Sequence, residues 1–189
     1  MKIITINKSN RANTVKRAVR FLRRGGLVVA QADTSYALLV MPGFVKKNTT
    51  LNKIKYLRDR KLYSLFVPHK EDILEKIKIT HHRELVSDLL PGQVTIVYDA
   101  KRPALRCIRK RTIVQLLSRT GSPLTATSAN PSGLPPARTL VQLKKYFSDL
   151  DLLILYEGVV RLTLPSTIVD VSHPEIRILR QGTARILVV

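Results

Sequence analysis

Four short segments carry side chains that suit the binding of a small polar or anionic ligand. In the first, the apolar run Gly26–Ala30 leads into Asp33-Thr34-Ser35. Short hydroxyl side chains at a strand end can bind a small polar molecule such as an amino acid. A turn or β-bulge in which Asp33 and Thr34 satisfy the backbone explains the same residues, so both interpretations stay open.

Two arginines, Arg58 and Arg60, lie two positions apart at the end of a predicted helix. In an extended or turn conformation alternate side chains project to one side, so both guanidiniums could hold one triphosphate. The same cations would also complement the dipole at the C-terminal end of that helix. The spacing favours neither interpretation.

The third segment runs from Ser122 to Pro135 and is dense in short polar groups. A predicted strand delivers Thr127 and Ser128 to its carboxyl end, and Asn130 follows in a Pro/Ser/Gly loop before a helix. Hydroxyls, an amide and free backbone N–H groups near a helix start suit phosphate or nucleotide binding. A capped loop with ordinary turn chemistry is equally compatible.

The fourth segment pairs Ser166-Thr167 at a strand entry with Arg180-Gln-Gly182, and alone it indicates little. The sequence lacks H-E-x-x-H, G-x-S-x-G, the P-loop and G-x-G-x-x-G patterns, and the adjacent His81-His82 diverge. We therefore expect no metal site and no usual dinucleotide fingerprint, which does not exclude nucleotides in general.

Alternating strands and helices must position these segments. Apolar residues at i, i+3, i+4 and i+7 predict an amphipathic helix over Asn10–Arg24, ended by Gly25-Gly26. Further helices are predicted over 49–57, 71–77, 83–90, 112–118 and 140–147, and strands over 3–6, 27–30, 36–41, 64–67, 93–98, 123–127, 152–156, 167–171 and 176–179. This alternation predicts an α/β fold with one central sheet. No stretch is typical of a linker, so residues 1–189 are predicted to form a single domain.

The charge is strongly basic. The 189 residues hold 33 Lys+Arg against 13 Asp+Glu, a net charge of +20, which favours polyanions as partners. Residues 1–70 and 101–119 carry most of the cations, and they would form a positive face if the two segments are neighbours. Solvated helix faces that only aid solubility are the alternative.

The cellular context follows from three features. The one cysteine, Cys107, excludes a disulfide framework within the chain. The first residues lack a signal-peptide apolar region, and no apolar run approaches the roughly 18 residues of a membrane helix. We expect a cytoplasmic protein with no membrane partner.

Taken in order, the motifs resemble those of the YrdC family, the threonylcarbamoyl-AMP synthases, in a short single-domain form with some YciO-like departures. The matching segments span nearly the whole chain: Gly25-Gly26, Asp33–Leu38, Arg58–Arg60, Pro91–Thr95, Ser128–Gly133, Ser166–Asp170 and Arg180–Gly182. The resemblance implies a YrdC-like twisted, mostly parallel sheet flanked by helices, with a concave basic face.

The resemblance also implies an activity. The family condenses L-threonine, bicarbonate and ATP, with Mg²⁺, into threonylcarbamoyl-AMP and pyrophosphate. This is the first step of the t6A modification of tRNA adenosine 37, and it implies a separate threonylcarbamoyl-transferase complex. The family is also reported to bind double-stranded RNA, so tRNA or double-stranded RNA is an expected partner of the basic face.

Eight residues receive roles from this resemblance. The nucleotide would be bound by Arg58, Arg60, Ser128, Asn130 and Arg180, of which the first four form the catalytic group. Threonine or its carbamate would be bound by Thr34, Thr127 and Ser166. No protein nucleophile is needed, because carbamylated threonine attacks the α-phosphate while cations and Mg²⁺ offset the charge.

The sequence departs from the family pattern at several positions. Gln31-Ala32 replaces Pro-Thr, Ala37 replaces a glycine, and the family's Arg-x-Pro is missing, with Arg109 or Arg111 as its candidate replacement. These departures motivate a second hypothesis, a YrdC-fold RNA-binding protein without synthase activity.

Overall fold

The computed structural model describes residues 1–56, 63–75, 82–161 and 163–186. Ten strands form one sheet: β1 Lys2–Thr5, β2 Val28–Gln31, β3 Tyr36–Val40, β4 Ser64–Val67, β5 Val94–Val97, β6 Leu105–Cys107, β7 Leu124–Ser128, β8 Leu153–Tyr156, β9 Thr167–Asp170 and β10 Arg177–Arg180. The helices are α1 Arg11–Arg23, α2 Thr49–Lys55, α3 Glu71–Leu74, α4 Arg83–Leu89, α5 Arg111–Thr120 and α6 Leu140–Phe147, with a short 3₁₀ turn at Pro42–Phe44.

The strands lie in the order β1-β8-β2-β3-β7-β4-β6-β5-β9-β10. The α/β prediction is confirmed, but the expectation of mostly parallel pairing is wrong. Four neighbouring pairs are parallel (β1–β8, β8–β2, β4–β6, β5–β9) and five are antiparallel (β2–β3, β3–β7, β7–β4, β6–β5, β9–β10). The link between β2 and β3 shows why, since residues 32–35 are too few for the crossover that parallel strands need.

The short strand β6 was not predicted from the sequence. It spans Leu105–Cys107, and a charged residue, Arg106, interrupts its apolar pattern. The predicted helix over 49–57 appears as α2, which ends at Lys55. Tyr56 is the last described residue before a gap, and residue 57 lies outside the described residues. The predicted helix over 71–77 is described only as α3, because residues 76–81 lie outside the described residues.

Helices cover both faces of the sheet. Val15, Ala18 and Leu22 of α1 and Leu116 of α5 are fully buried against one face, as the amphipathic pattern predicted. Helices α2 and α6 pack on the other face. Burying one such leucine side chain stabilises the fold by about 2 kcal/mol, so these two layers hold the middle of the sheet in place.

The two basic segments of the chain meet in the fold. Helices α1 and α5 pack side by side, and Arg23 donates from Nη2 to the carbonyl of Arg119 at 2.9 Å. At their other ends Arg11 and Thr112 both donate to Glu157, at 3.1 and 2.9 Å. The exposed cations of this helical face, which we call the α1–α5 face, are Lys16, Arg17, Arg20, Arg23, Arg24, Arg111 and Arg119. Neither helix contains an acidic residue.

Candidate active site

A cavity of about 440 Å³ lies where several strands end. The β2–β3 turn, the end of β7, the start of β4, strands β5, β6 and β10, and the segment 163–168 contribute to its wall. Its apolar floor is formed by Ala37, Phe66 and Ala126, which belong to the core beneath α1 and α5. The sheet therefore supplies a rigid floor, and turns and strand ends supply the polar groups.

Three arginines line the cavity: Arg106, Arg138 and Arg180. Arg106 lies 3.3 Å from Asp33 through Nη2 and Oδ2, whereas Arg138 donates from Nη2 to the carbonyl of Thr163 at 3.1 Å. The described residues that line the cavity include no aspartate or glutamate. The cavity is therefore positively charged and suits an anionic ligand.

Ser166 is held in the cavity wall by its neighbours. Arg180 donates to the Ser166 carbonyl from Nε at 3.1 Å and from Nη2 at 2.8 Å, and Nη2 also lies 3.2 Å from Ser166 Oγ. Thr95 Oγ1 lies 2.9 Å from the same hydroxyl. A neutral carbonyl therefore anchors Arg180, which keeps its whole positive charge next to an oriented hydroxyl.

The loop after β7 is built around the Asn130 side chain. Asn130 Oδ1 accepts from Ser128 Oγ at 2.5 Å and from Lys55 Nζ at 2.9 Å, while Nδ2 donates to the carbonyl of Leu134. Ser132 Oγ donates to the Lys55 carbonyl at 2.8 Å, which ties the loop to the end of α2. The buried ammonium of Lys55 thus lies close to a cavity hydroxyl.

The predicted site residues fall into three groups. Five line the cavity: Thr34, Thr127, Ser128, Ser166 and Arg180. Asn130 contacts Ser128 but lies behind the lining and shapes the loop. Arg58 and Arg60 lie outside the described residues, so their role stays a prediction.

The sequence analysis missed several residues of this site. No role was predicted for Lys55, Thr95, Arg106 or Arg138, although an arginine inside the apolar run 103–108 is a usable signal for a buried site. Arg109 or Arg111 was proposed for the missing arginine of the family pattern. Neither of these two arginines lines the cavity. Arg106 does line it, from strand β6, where it pairs with Phe66 of β4.

Burial shifts the pKa of several groups. Burial raises the pKa of Asp33 and lowers that of Arg106, and the attraction between the two opposes both shifts. Burial also lowers the pKa of the Arg180 guanidinium. Burial raises the pKa of the Cys107 thiol to about 11 and, with the nearby Glu71, keeps it neutral, so Cys107 is not an activated nucleophile.

These features, a mixed sheet with a basic cavity lined by hydroxyls and arginines, define an α/β ligand-binding protein of a known family. The chain belongs to the Sua5/YciO/YrdC family, whose model, described as "Telomere recombination", matches residues 20–182. The predicted family membership is confirmed.

The curated relatives are enzymes. The threonylcarbamoyl-AMP synthase of Mus musculus is 26% identical, and the match covers 94% of this chain and 70% of the relative. P. abyssi Sua5 complexed with L-threonine superposes with a TM-score of 0.83 at 21% identity over 96% of this chain, which spans only 58% of that protein. E. coli YciO superposes with a TM-score of 0.82 at 18% identity, covering 97% and 96% of the two chains. These two structures support the fold alone.

Two further properties concern the described residues only. They form no helix that is both long and apolar enough to cross a membrane. They also contain no group of three or more His, Cys, Asp or Glu residues that could hold a metal ion.

Proposed function

We propose that the protein is an L-threonylcarbamoyladenylate synthase, a nucleotidyltransferase that condenses L-threonine, bicarbonate and ATP into threonylcarbamoyl-AMP and pyrophosphate for tRNA t6A37 modification. The observation that carries this proposal is the cavity itself, in which hydroxyls and three arginines converge without a carboxylate among the described lining residues. Such a site suits two anionic substrates, and the curated relatives bear this activity in their names.

The triphosphate would lie beside the loop after β7. Ser128 offers a hydroxyl in the cavity, and the Lys55 ammonium donates to the same Asn130 oxygen, Oδ1, as that hydroxyl does. A cation next to a hydroxyl suits the oxygens of a phosphate. Arg58 and Arg60, predicted from the sequence for the same task, would extend this subsite.

The threonine would lie on the opposite wall. Thr34 and Ser166 supply hydroxyls, with Thr127 nearby, and Arg106 and Arg180 supply charge for a carboxylate or carbamate. Because Arg180 and Thr95 already orient the Ser166 hydroxyl, little entropy would be lost when it binds a ligand.

The chemistry would be electrostatic. The threonine amine and bicarbonate give a carbamate and water. A carbamate oxygen then forms a bond to the α-phosphorus of ATP, and the bond from that phosphorus to the bridging oxygen breaks, so pyrophosphate leaves with the electron pair. The arginines offset the charge that builds on the phosphoryl oxygens. The described lining residues offer no carboxylate cage for Mg²⁺, so the ion would enter as part of the MgATP substrate.

The test is threonine-dependent release of pyrophosphate. Purified protein is given L-threonine, bicarbonate, Mg²⁺ and radiolabelled ATP. Threonine-dependent release is the expected result, and its absence at saturating substrates overturns the proposal. The cytoplasmic location, the single domain and the separate transferase complex stay predictions.

RNA binding without synthase activity is the second candidate function, and the α1–α5 face favours it. Six exposed cations lie on the packed helices α1 and α5, and a seventh, Arg24, directly follows α1. Neither helix contains an acid, and these cations are distinct from the cavity arginines. Phosphate contacts release counterions, so affinity for tRNA or double-stranded RNA should fall steeply with salt. A salt-insensitive affinity contradicts this candidate, and calorimetric binding of both ATP and threonine favours the synthase.

A further inference from the structure

Arg106 is held from outside the cavity. Its side chain on β6 lines the cavity and is 8% exposed, and the Asp33 side chain, 9% exposed, meets it at 3.3 Å. Asp33 does not line that cavity but lines a neighbouring pocket with Gln93 and Arg109. The carboxylate therefore approaches the guanidinium from behind the cavity wall.

Asp33 is itself restrained by groups behind the wall. The backbone of Arg109 lowers the pKa of its carboxyl group, and Gln93 donates from Nε2 to its backbone carbonyl at 3.4 Å. The charge of Lys110 also favours its ionised form. These contacts fix the carboxylate in a position from which only Nη2 of Arg106 is reached.

The guanidinium of Arg106 has spare hydrogen-bonding capacity. Its hydrogen bond to Asp33 engages Nη2, and Nε is buried with no acceptor among the described residues. The ring of Phe66, 5.8 Å from Cζ, supports one side of the group. Since buried donors normally find acceptors, the remaining N–H groups are suited to a ligand.

Repulsion within the cavity makes Asp33 necessary. Arg180 is close enough to disfavour the charged form of Arg106 electrostatically. Without the carboxylate, the two guanidiniums would repel each other in a site of low dielectric constant. The negative charge of Asp33 offsets this repulsion.

We infer that Asp33 is a positioning residue that holds Arg106 in the cavity wall, so that the free N–H donors of Arg106 face the carboxylate or carbamate of the amino-acid substrate. Asp33 acts through Arg106 and does not touch the substrate. Only the identity of the ligand rests on the proposed function, since the ion pair and its placement do not depend on it.

A double-mutant cycle tests the inference. Asp33→Asn, Arg106→Gln and the double variant are titrated with L-threonine by calorimetry, and each single variant should weaken binding about tenfold, as expected for a hydrogen bond to a charged group. The double variant, which buries no unpaired charge and should fold even if a single variant does not, should bind no more weakly than Arg106→Gln alone. Additive losses overturn the inference. Asp99→Asn, in a surface turn, is the matched control and should bind as the wild type does.

A ligand-free measurement separates this inference from the proposed function. In protein with ¹⁵N-labelled arginine, the Asp33 contact should slow rotation of the Arg106 guanidinium and give distinct Nη signals. Those signals should merge in Asp33→Asn and persist in Asp99→Asn. Unchanged Arg106 signals in Asp33→Asn overturn the inference. If the wild type binds no threonine but shows the Asp33-dependent signals, the proposed function fails and the positioning role stands.

Discussion

The Arg180 guanidinium forms hydrogen bonds with both the backbone carbonyl and the side-chain hydroxyl of Ser166. Two N–H groups of the guanidinium donate to the Ser166 carbonyl, at 3.1 and 2.8 Å, and Nη2 lies 3.2 Å from the hydroxyl. The two residues are 14 positions apart, on β10 and just before β9, so this contact also closes the edge of the sheet over the cavity. One side chain thus contributes charge to the cavity and fixes the hydroxyl beside it.

Replacing Arg180 should therefore lower synthase activity strongly. Arg180→Gln removes a charge and the bidentate contact, and hydrogen bonds of charged groups contribute about 2 kcal/mol each. We expect threonine-dependent pyrophosphate release to fall by at least about tenfold in kcat/KM. Arg177→Gln, on the same exposed strand but outside the cavity lining, is the control and should retain activity. Equal activity of the two variants would contradict the assigned role.

Gly182 should be essential for the shape of the same wall. A Cβ atom there would lie 2.1 Å from the Pro165 carbonyl oxygen and 2.5 Å from the Ser166 carbonyl carbon, and backbone atoms cannot yield as a side chain can. Gly182→Ala should lower the free energy of unfolding by about 3 kcal/mol in urea titration. Gly43→Ala meets no atom within 4 Å and should change it by less than about 1 kcal/mol. Similar losses in both variants would refute this explanation.

Local signals explain how much of this site the sequence could predict. Hydroxyls such as Thr34 and Ser128 stand out because they interrupt or end apolar strands, and five of the eight predicted residues do line the cavity. The contacts between side chains of the site could not be predicted, because they join positions that are distant in the sequence. Arg106 meets Asp33 across 73 residues and Lys55 meets Asn130 across 75. No periodicity encodes such contacts.

For the sheet, too, local patterns predicted the single elements but not the contacts between them. Apolar runs predicted nine of the ten described strands. Burial on both faces explains the apolar runs of central strands such as β2 and β3, whereas the edge strand β10 is exposed. The direction of pairing depends on the lengths of the connections and on which strands become neighbours. The four residues between β2 and β3 were long enough only for a hairpin, an inference that the sequence analysis did not draw, and the antiparallel pairing of β3 with β7 joins segments about 90 positions apart. Strand order is a tertiary property, and the pattern of single segments does not determine it.

Cys107 should be chemically inert in the folded protein. Burial raises its pKa to about 11, so at pH 8 its thiolate fraction should be about 200-fold below that of an exposed cysteine. Since the folded pKa lies above the unfolded value, this thiol costs no stability below the unfolded pKa near 8.5, and stability is lost as the pH rises from there through about 11. Alkylation at pH 8 with and without denaturant measures the effect. Equal rates in both conditions would show that the thiol is accessible and ionised.

Lys55 should contribute to nucleotide binding. Its ammonium lies 2.9 Å from Asn130 Oδ1, next to the cavity hydroxyl of Ser128, and its residue is buried. Lys55→Met keeps the apolar stem packed but removes the charge, so calorimetric titration should show a Kd for ATP raised about tenfold, the effect of one lost hydrogen bond to a charged group. Lys53→Met, exposed on the same helix, is the matched control and should bind ATP as the wild type does. If the two variants bind ATP equally well, the phosphate subsite does not include Lys55, and the predicted Arg58 and Arg60 must account for it.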